Sequence, residues 1–235
     1  MKLFFIPDII NIQTLSEEES HHCSKVLRLK NNDIIYITDG SGNLYKSKIV
    51  AIHPKKTEIE ILEVQQEYGK RPYYIHIAIA PTKNIDRFEW FIEKSTEIGI
   101  DEITPLLCKN SERKIIKTER LNKIAESAMK QSYKAYHPKI NDLTTLNHFI
   151  KNNPSLNSQK FIAHCEDEEK IFLGKQIEKK SEYLILIGPE GDFTLDEIHL
   201  AKQEHFSPTS LGKNRLRTET AGIVACNIAS IINQL

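Results

Sequence analysis

The residues best placed to do chemistry stand in two stretches of the C-terminal part of the chain. In Ser210-Leu211-Gly212-Lys213-Asn214-Arg215-Leu216-Arg217-Thr218-Glu219-Thr220-Ala221-Gly222, two arginines precede a threonine that reads as a helix cap. A guanidinium fixed just before a helix N-terminus suits the stabilisation of negative charge on an oxygen, or contact with phosphate. Glu219 reads first as a first-turn acid favoured by the helix dipole, worth a few tenths to about 1 kcal/mol, and second as a proton acceptor. Upstream, the apolar run Leu184–Ile187 leads into Gly188-Pro189-Glu190-Gly191-Asp192. Glycine admits positive φ and close backbone approach, proline fixes its own φ, and Thr194-x-x-Glu197 forms a capping box for a helix from about Leu195. Strand, glycine turn and helix start together present backbone N–H groups to a ligand. One such turn reads equally well as a connection without a ligand; two in succession favour a binding site.

The elements that must hold these stretches alternate from residue 73 onward. Tyr74–Ala80 reads as a strand. Asn84–Ile98 reads as a helix with Ile85, Phe88, Phe91, Ile92 and Ile98 at helical spacing and Gly99 ending it. Ile103–Cys108 is a second strand, and a helix around Arg120–Ser132 carries Leu121, Ile124, Ala125, Ala128 and Met129 on one face. A strand at Lys160–His164 precedes the two motif strands. Such alternation predicts a mostly parallel α/β sheet. The last helix, Thr218 to about Gln234, has no charged side chain beyond Glu219, so it is buried on more than one side. Either a monomer core or a subunit interface supplies that burial.

Residues 1–68 read as a separate β-rich unit, with strands at Ile34–Thr38, Leu44–Ile52 and Thr57–Val64. A capping box at Ser16-x-x-Glu19 starts a short helix through His21, His22, Cys23, Val26 and Leu27. Adjacent helical residues point in different directions, so His21, His22 and Cys23 read as structural or RNA-facing, with no metal expected. The polar joint 65–72 links the halves.

Lys+Arg and Asp+Glu both number 32, so net charge gives no global pull toward a polyanion and any nucleic-acid surface is local. The candidates are Lys25, Arg28 and Lys30; Lys109, Arg113, Lys114 and Lys117; and Lys213, Arg215 and Arg217. Cys23, Cys108, Cys165 and Cys226 form no C-x-x-C pair, which fits a reduced, cytoplasmic protein. The N-terminus lacks the apolar length of a signal peptide, and no run approaches the roughly 20 residues of a membrane span. No phosphate-binding P-loop or G-x-S-x-G elbow occurs, and Gly40-x-Gly42 lacks the third glycine of a dinucleotide fingerprint.

The paired stretches resemble the RsmE family of ribosomal RNA methyltransferases, whose motifs run I-G-P-E-G and then S-L-G-x-x-x-L-R-x-E-T-A. The segment His21-His22-x-x-x-Val26-Leu27-Arg28-Leu29-Lys30 also resembles the PUA-like N-terminal domain of that family. The resemblance implies an α/β protein with a PUA-like RNA-binding β-barrel over 1–68. A SPOUT methyltransferase domain over 73–235 follows, trefoil-knotted with a mostly parallel sheet. It implies S-adenosylmethionine (SAM) as cofactor, held by Leu186, Ile187, Gly188, Pro189, Glu190 and Gly191 and by Leu211, Gly212, Leu216, Arg217, Thr218 and Ala221. Methyl transfer would go to uracil N3 in 16S ribosomal RNA, free or in the small subunit, by a cytoplasmic homodimer. Arg217 and Glu219 are the catalytic candidates, and Lys25, Arg28, Arg113 and Arg215 the RNA contacts. The alternatives are another SPOUT RNA methyltransferase, acting on transfer RNA or a ribose 2′-hydroxyl, or a non-catalytic RNA-binding protein. One departure stands out: the family motif often reads G-P-E-G-G, and Asp192 replaces its last glycine. Aspartate tolerates turn conformations, so the loop is expected to survive.

Overall fold

The computed structural model describes residues 2–152 and 158–235, and its contacts divide the chain into two units. The first comprises Met1–Lys70 with Glu126–His137. Its sheet runs β1 (Leu3–Phe5), β2 (Ile34–Thr38), β3 (Leu44–Ala51) and β4 (Glu58–Gln65), in that order. The first pair is parallel and the others antiparallel. Alternation in β4 buries Ile59 between exposed Glu58 and Glu60, and Ile35, Ile37 and Ile49 complete that inner face.

Helix α1 (Glu17–His21) is shorter than the sequence suggests, because a π-helical turn takes over at His22–Val26 and keeps Cys23 in the core. Its capping box is only half made. Ser16 accepts the N–H of Glu19 at 3.2 Å, but the Glu19 carboxylate turns away to the Phe5 N–H and the Lys130 ammonium. Segment 126–137 joins this unit through hydrogen bonds that no local pattern announces. Thr38 Oγ1 donates to the Ala135 carbonyl at 3.0 Å, and the His137 N–H to the Gly40 carbonyl at 2.9 Å. Gly42, at φ +103, lies against the Tyr136 ring and leaves no space for a side chain.

The second unit is a parallel sheet with helices on both faces. In chain order its elements are β5 (Tyr74–Ile79), α2 (Ile85–Ile98), β6 (Glu102–Leu107), the start of α3 (Thr118–Gln131), β7 (Lys139–Ile140), β8 (Thr144–Thr145) and α4 (Leu146–Asn152). Then come β9 (Gln159–Ala163), β10 (Ile171–Phe172), α5 (Leu173–Gln176), β11 (Glu182–Ile187), α6 (Leu195–Gln203), β12 (Ser207–Ser210) and α7 (Thr218–Ile232). The strand order is β10-β12-β9-β11-β5-β6-β7, with β8 also on β6, and every pairing is parallel. A strand covered on both faces reads as a continuous apolar run, which is why 184–187 is all Leu and Ile. On one face Ile75, Ile77 and Ile79 pack with Phe88 and Phe91 of α2 and with α7. On the other, Ala78, Leu184 and Leu186 meet α4 and α6.

Helix α2 starts where expected. Asn84 Oδ1 accepts the Asp86 N–H at 3.0 Å, and Gly99 at φ +114 ends the helix. The two-residue strands and the helices α4 and α5 have no periodic signal long enough to read. No helix among the described residues is long and apolar enough to cross a membrane.

Candidate functional site at the carboxyl ends of the parallel strands

In parallel α/β sheets ligands gather outside the carboxyl ends of the strands. Here the β9–β11 ladder ends at the Ala163↔Ile187 pair, and a cavity of about 410 Å³ opens beside it. Ala163, Ile187, Leu216 and Ala221 give it apolar surface, and Arg87, Arg215, Arg217, Glu190, Asp192 and Glu219 add charged groups to its lining.

The turn after β11 is fixed from several sides. Asp192 donates its N–H to the Pro189 carbonyl at 2.9 Å and stands at φ +61. Among the described residues the left-handed position in this turn belongs to Asp192, and neither Gly188 nor Gly191 adopts positive φ. Gly188 is small because a Cβ there would sit 3.1 Å from Phe193. Gly191 faces Asn110, whose Cβ would be 3.1 Å from an added side chain, and does not line the cavity. The Asn110 amide donates to the carbonyls of Gly191 and Asp192 at 3.0 and 3.1 Å. Glu190 Oε1 accepts the Lys83 N–H at 2.8 Å, joining the turn to the loop before α2. Both halves of the capping box form, with Glu197 N–H to Thr194 Oγ1 at 3.3 Å and Thr194 N–H to Glu197 Oε2 at 2.8 Å.

At α7 the cap differs from the sequence reading. Arg217, not Thr218, is the N-cap residue, at φ −73 and ψ 156, and its side chain makes no capping bond. A threonine cap would accept an N–H two or three residues on; Thr218 is instead the first helical residue and is buried. The exposed Arg217 guanidinium lines the cavity with no hydrogen bond or ion pair among the described residues. Glu219 is only 5 % exposed, and its Oε1 lies 3.9 Å from Arg87 Nε. Arg87, Ala163, Cys165 and Asp192 line the cavity without having been singled out for it in the sequence. Burial and the neighbouring Asp192 carboxylate push the Cys165 thiol above its ordinary pKa, which keeps it a poor nucleophile.

Some sequence candidates lie elsewhere. Leu186 points into the core on the opposite sheet face, and Leu211 packs on the core beside α7. Gly212, at φ +137, is outside the lining. Arg113 donates from Nε to the Thr82 carbonyl at 3.0 Å and from Nη2 to the Lys83 carbonyl at 2.6 Å, so its guanidinium braces the loop before α2. Lys25 and Arg28 are exposed on the first unit, Arg28 at φ +52.

An RNA methyltransferase domain family matches residues 69–230, and an RNA methyltransferase PUA domain family matches 15–62. Ribosomal RNA small subunit methyltransferase E of Buchnera aphidicola subsp. Acyrthosiphon pisum is 33% identical over 93% of this chain and 87% of its own length. A crystal structure of a probable rRNA methyltransferase from Porphyromonas gingivalis superposes with a TM-score of 0.94 at 37% identity, covering 100% of this chain and 99% of that one. The ribosomal RNA small subunit methyltransferase E of Neisseria gonorrhoeae, solved bound to S-adenosyl methionine, gives 0.83 at 28% identity over 96% and 95%. A strand–turn–helix cavity with these residues at its mouth, matched along nearly the whole chain, places the protein in the ribosomal RNA small subunit methyltransferase E family of RNA methyltransferases.

Proposed function

We infer that this chain is a SAM-dependent methyltransferase acting on N3 of a uridine in small-subunit ribosomal RNA. The observation that carries the reading is the cavity at the ends of β9 and β11, bordered by a helix start bearing Arg217 and Glu219. A concave site of a few hundred Å³ with apolar walls and a few convergent polar groups suits a cofactor of this size. When bound, the cofactor supplies an electrophilic methyl group on a sulfonium. Ala163, Ile187, Leu216 and Ala221 would hold its base by apolar contact, and the carboxylates of Glu190 and Glu219 offer partners to its cationic groups.

Uracil N3–H is a weak acid whose neutral nitrogen has no free in-plane lone pair. The proton must be removed or shared as the methyl arrives, or the resulting anion stabilised. Arg217, unpaired at the cavity mouth, is the group assigned to the oxygen that gains charge. Glu219, buried beside Arg87, is the carboxylate within the motif that can share the proton. Lys25, Arg28 and Arg215 are assigned to backbone phosphates, which position RNA without reading its sequence. Arg113 serves the site through the loop it braces.

In this reading the first unit positions the RNA, the second is a trefoil-knotted catalytic domain, and the enzyme works in the cytoplasm, where small subunits are assembled. A homodimer goes with it. One face of α7 is buried through Gly222, Ala225, Cys226 and Ala229, while Ile231 on the other is 44% exposed and the following Leu235 84%. Light scattering that finds only the 27.1 kDa species at micromolar concentration would refute the dimer. The function is tested by nucleoside mass spectrometry of ribosomal RNA from cells lacking the protein. Disappearance of 3-methyluridine from the small-subunit RNA is expected, and its retention would sink the assignment.

A further inference from the structure

Beyond the Ala163↔Ile187 pair, β9 and β11 run into separate loops, and residues of both line the cavity. A backbone N–H just past the last rung of a ladder needs a new acceptor. The Cys165 N–H finds one in Asp192 Oδ2, at 2.6 Å. The other carboxylate oxygen, Oδ1, accepts the Phe193 N–H at 2.8 Å. The main chain of Asp192 is held as well, by the Pro189 carbonyl on one side and the Asn110 amide on the other. A single side chain thus takes the place of the next rung and ties the β9 loop to the β11 turn.

We propose that Asp192 is a positioning residue for cofactor binding, whose carboxylate fixes the separation of the two cavity walls. This rests on the cofactor reading above. Residue type follows from the geometry. At φ +61 most side chains are strained, and aspartate is among the few that tolerate it. Its short stem brings two acceptor oxygens to two N–H groups, in charge-assisted bonds that are shorter and stronger than neutral ones. Asparagine keeps the backbone tolerance but offers one acceptor, leaving its NH₂ toward an N–H. Glycine keeps the backbone conformation and offers none. The absence of a side chain at Gly188 belongs to the same arrangement, since a Cβ there would press on Asp192 Oδ1 at 3.2 Å.

The test compares the wild type with Asp192→Gly and Asp192→Asn by calorimetric titration with SAM, by steady-state kinetics on small subunits, and by melting without cofactor. Loss of the bridge to Cys165 in Asp192→Gly should weaken SAM binding about tenfold, the size of one charge-assisted hydrogen bond. Asp192→Asn should lie between. KM for SAM should rise by more than kcat falls. The cofactor-free melting temperature of Asp192→Gly should stay near that of the wild type, because glycine relaxes the φ while the bridge is lost. A glycine variant that binds SAM as tightly as the wild type overturns the proposal. So does one whose binding loss is matched by a collapse of the cofactor-free melt, which marks a folding role. Wild-type protein that binds no SAM removes the cofactor reading itself, a different and distinguishable failure.

Discussion

Gly222 offers the sharpest test of how α7 is seated, and so of how Thr218, Glu219 and Ala221 reach the cavity. A Cβ at this position would lie 2.6 Å from Phe91 Cε2 and 2.8 Å from both Phe91 Cδ2 and Ile79 Cδ1. Phe91 and Ile79 are fully buried in one core cluster, so neither has open space to move into. Two effects oppose each other in Gly222→Ala. Replacing glycine by alanine inside a helix gains about 1 kcal/mol of intrinsic propensity. Forcing a methyl into a packed core costs typically 1–3 kcal/mol, and approaches this short on two buried side chains belong at the upper end. The core term wins, for a net loss of about 1–2 kcal/mol. For a chain of this size that lowers the melting temperature by roughly 2–8 °C at 2–4 °C per kcal/mol. Relief requires α7 to retreat from α2 at its first turn, which would move Glu219 away from Arg87 and weaken SAM binding as well. Differential scanning calorimetry with and without SAM reads both effects. A Gly222→Ala protein that melts at or above the wild type, with unchanged SAM affinity, refutes the close seating of α7 on Phe91.

Arg217→Ala should leave the melting temperature unchanged, because its side chain caps nothing. It should slow single-turnover methylation at saturating subunits by a factor on the order of 10², a typical loss for one oxyanion-type donor; a loss of affinity alone would reverse the assignment. Lys25→Ala combined with Arg28→Gly, glycine being chosen for the φ of +52, should weaken RNA binding. Removing one cation from a phosphate should flatten the salt dependence of binding by roughly one unit of slope, so an unchanged slope would exclude both residues from the RNA path. His76 bonds Thr104 Oγ1 at 2.8 Å, and burial lowers its pKa from 6.5 to about 4. The unfolded chain therefore takes up this proton at a pH where the folded one does not, and stability should fall as pH drops from 6.5 toward 4. His76→Gln should flatten that part of a urea-midpoint profile, and an unaltered profile would show that His76 does not set it.

Much of the site was legible because its parts close over short distances along the chain. The capping box at Thr194 and Glu197 and the Gly99 stop are each made within a few residues, so residue type and spacing suffice. The continuous apolar run of β11 likewise announces a strand covered on both faces. Other features depended on which segments meet. Ile187 reaches the cavity and Leu186 does not, because neighbouring strand residues face opposite ways and only the packed sheet decides which side the ligand takes. Arg87, Ala163 and Cys165 come from α2 and the end of β9, and no pattern in the sequence pairs them with the turn at 188–192. Arg113 stands out by charge, and only the fold shows that two of its N–H groups donate to the carbonyls of Thr82 and Lys83. The segment 126–137 joins the N-terminal unit through bonds to Thr38 and Gly40 that no local rule predicts. The sequence alone determined where the chain turns after β11, where α2 stops and where α6 starts, because those depend on dihedral preferences and hydrogen bonds closed locally. Only the tertiary structure decided that the Asp192 carboxylate meets the Cys165 N–H and that the Arg113 guanidinium meets the Thr82 and Lys83 carbonyls, because both depend on donors and acceptors brought together from distant parts of the chain.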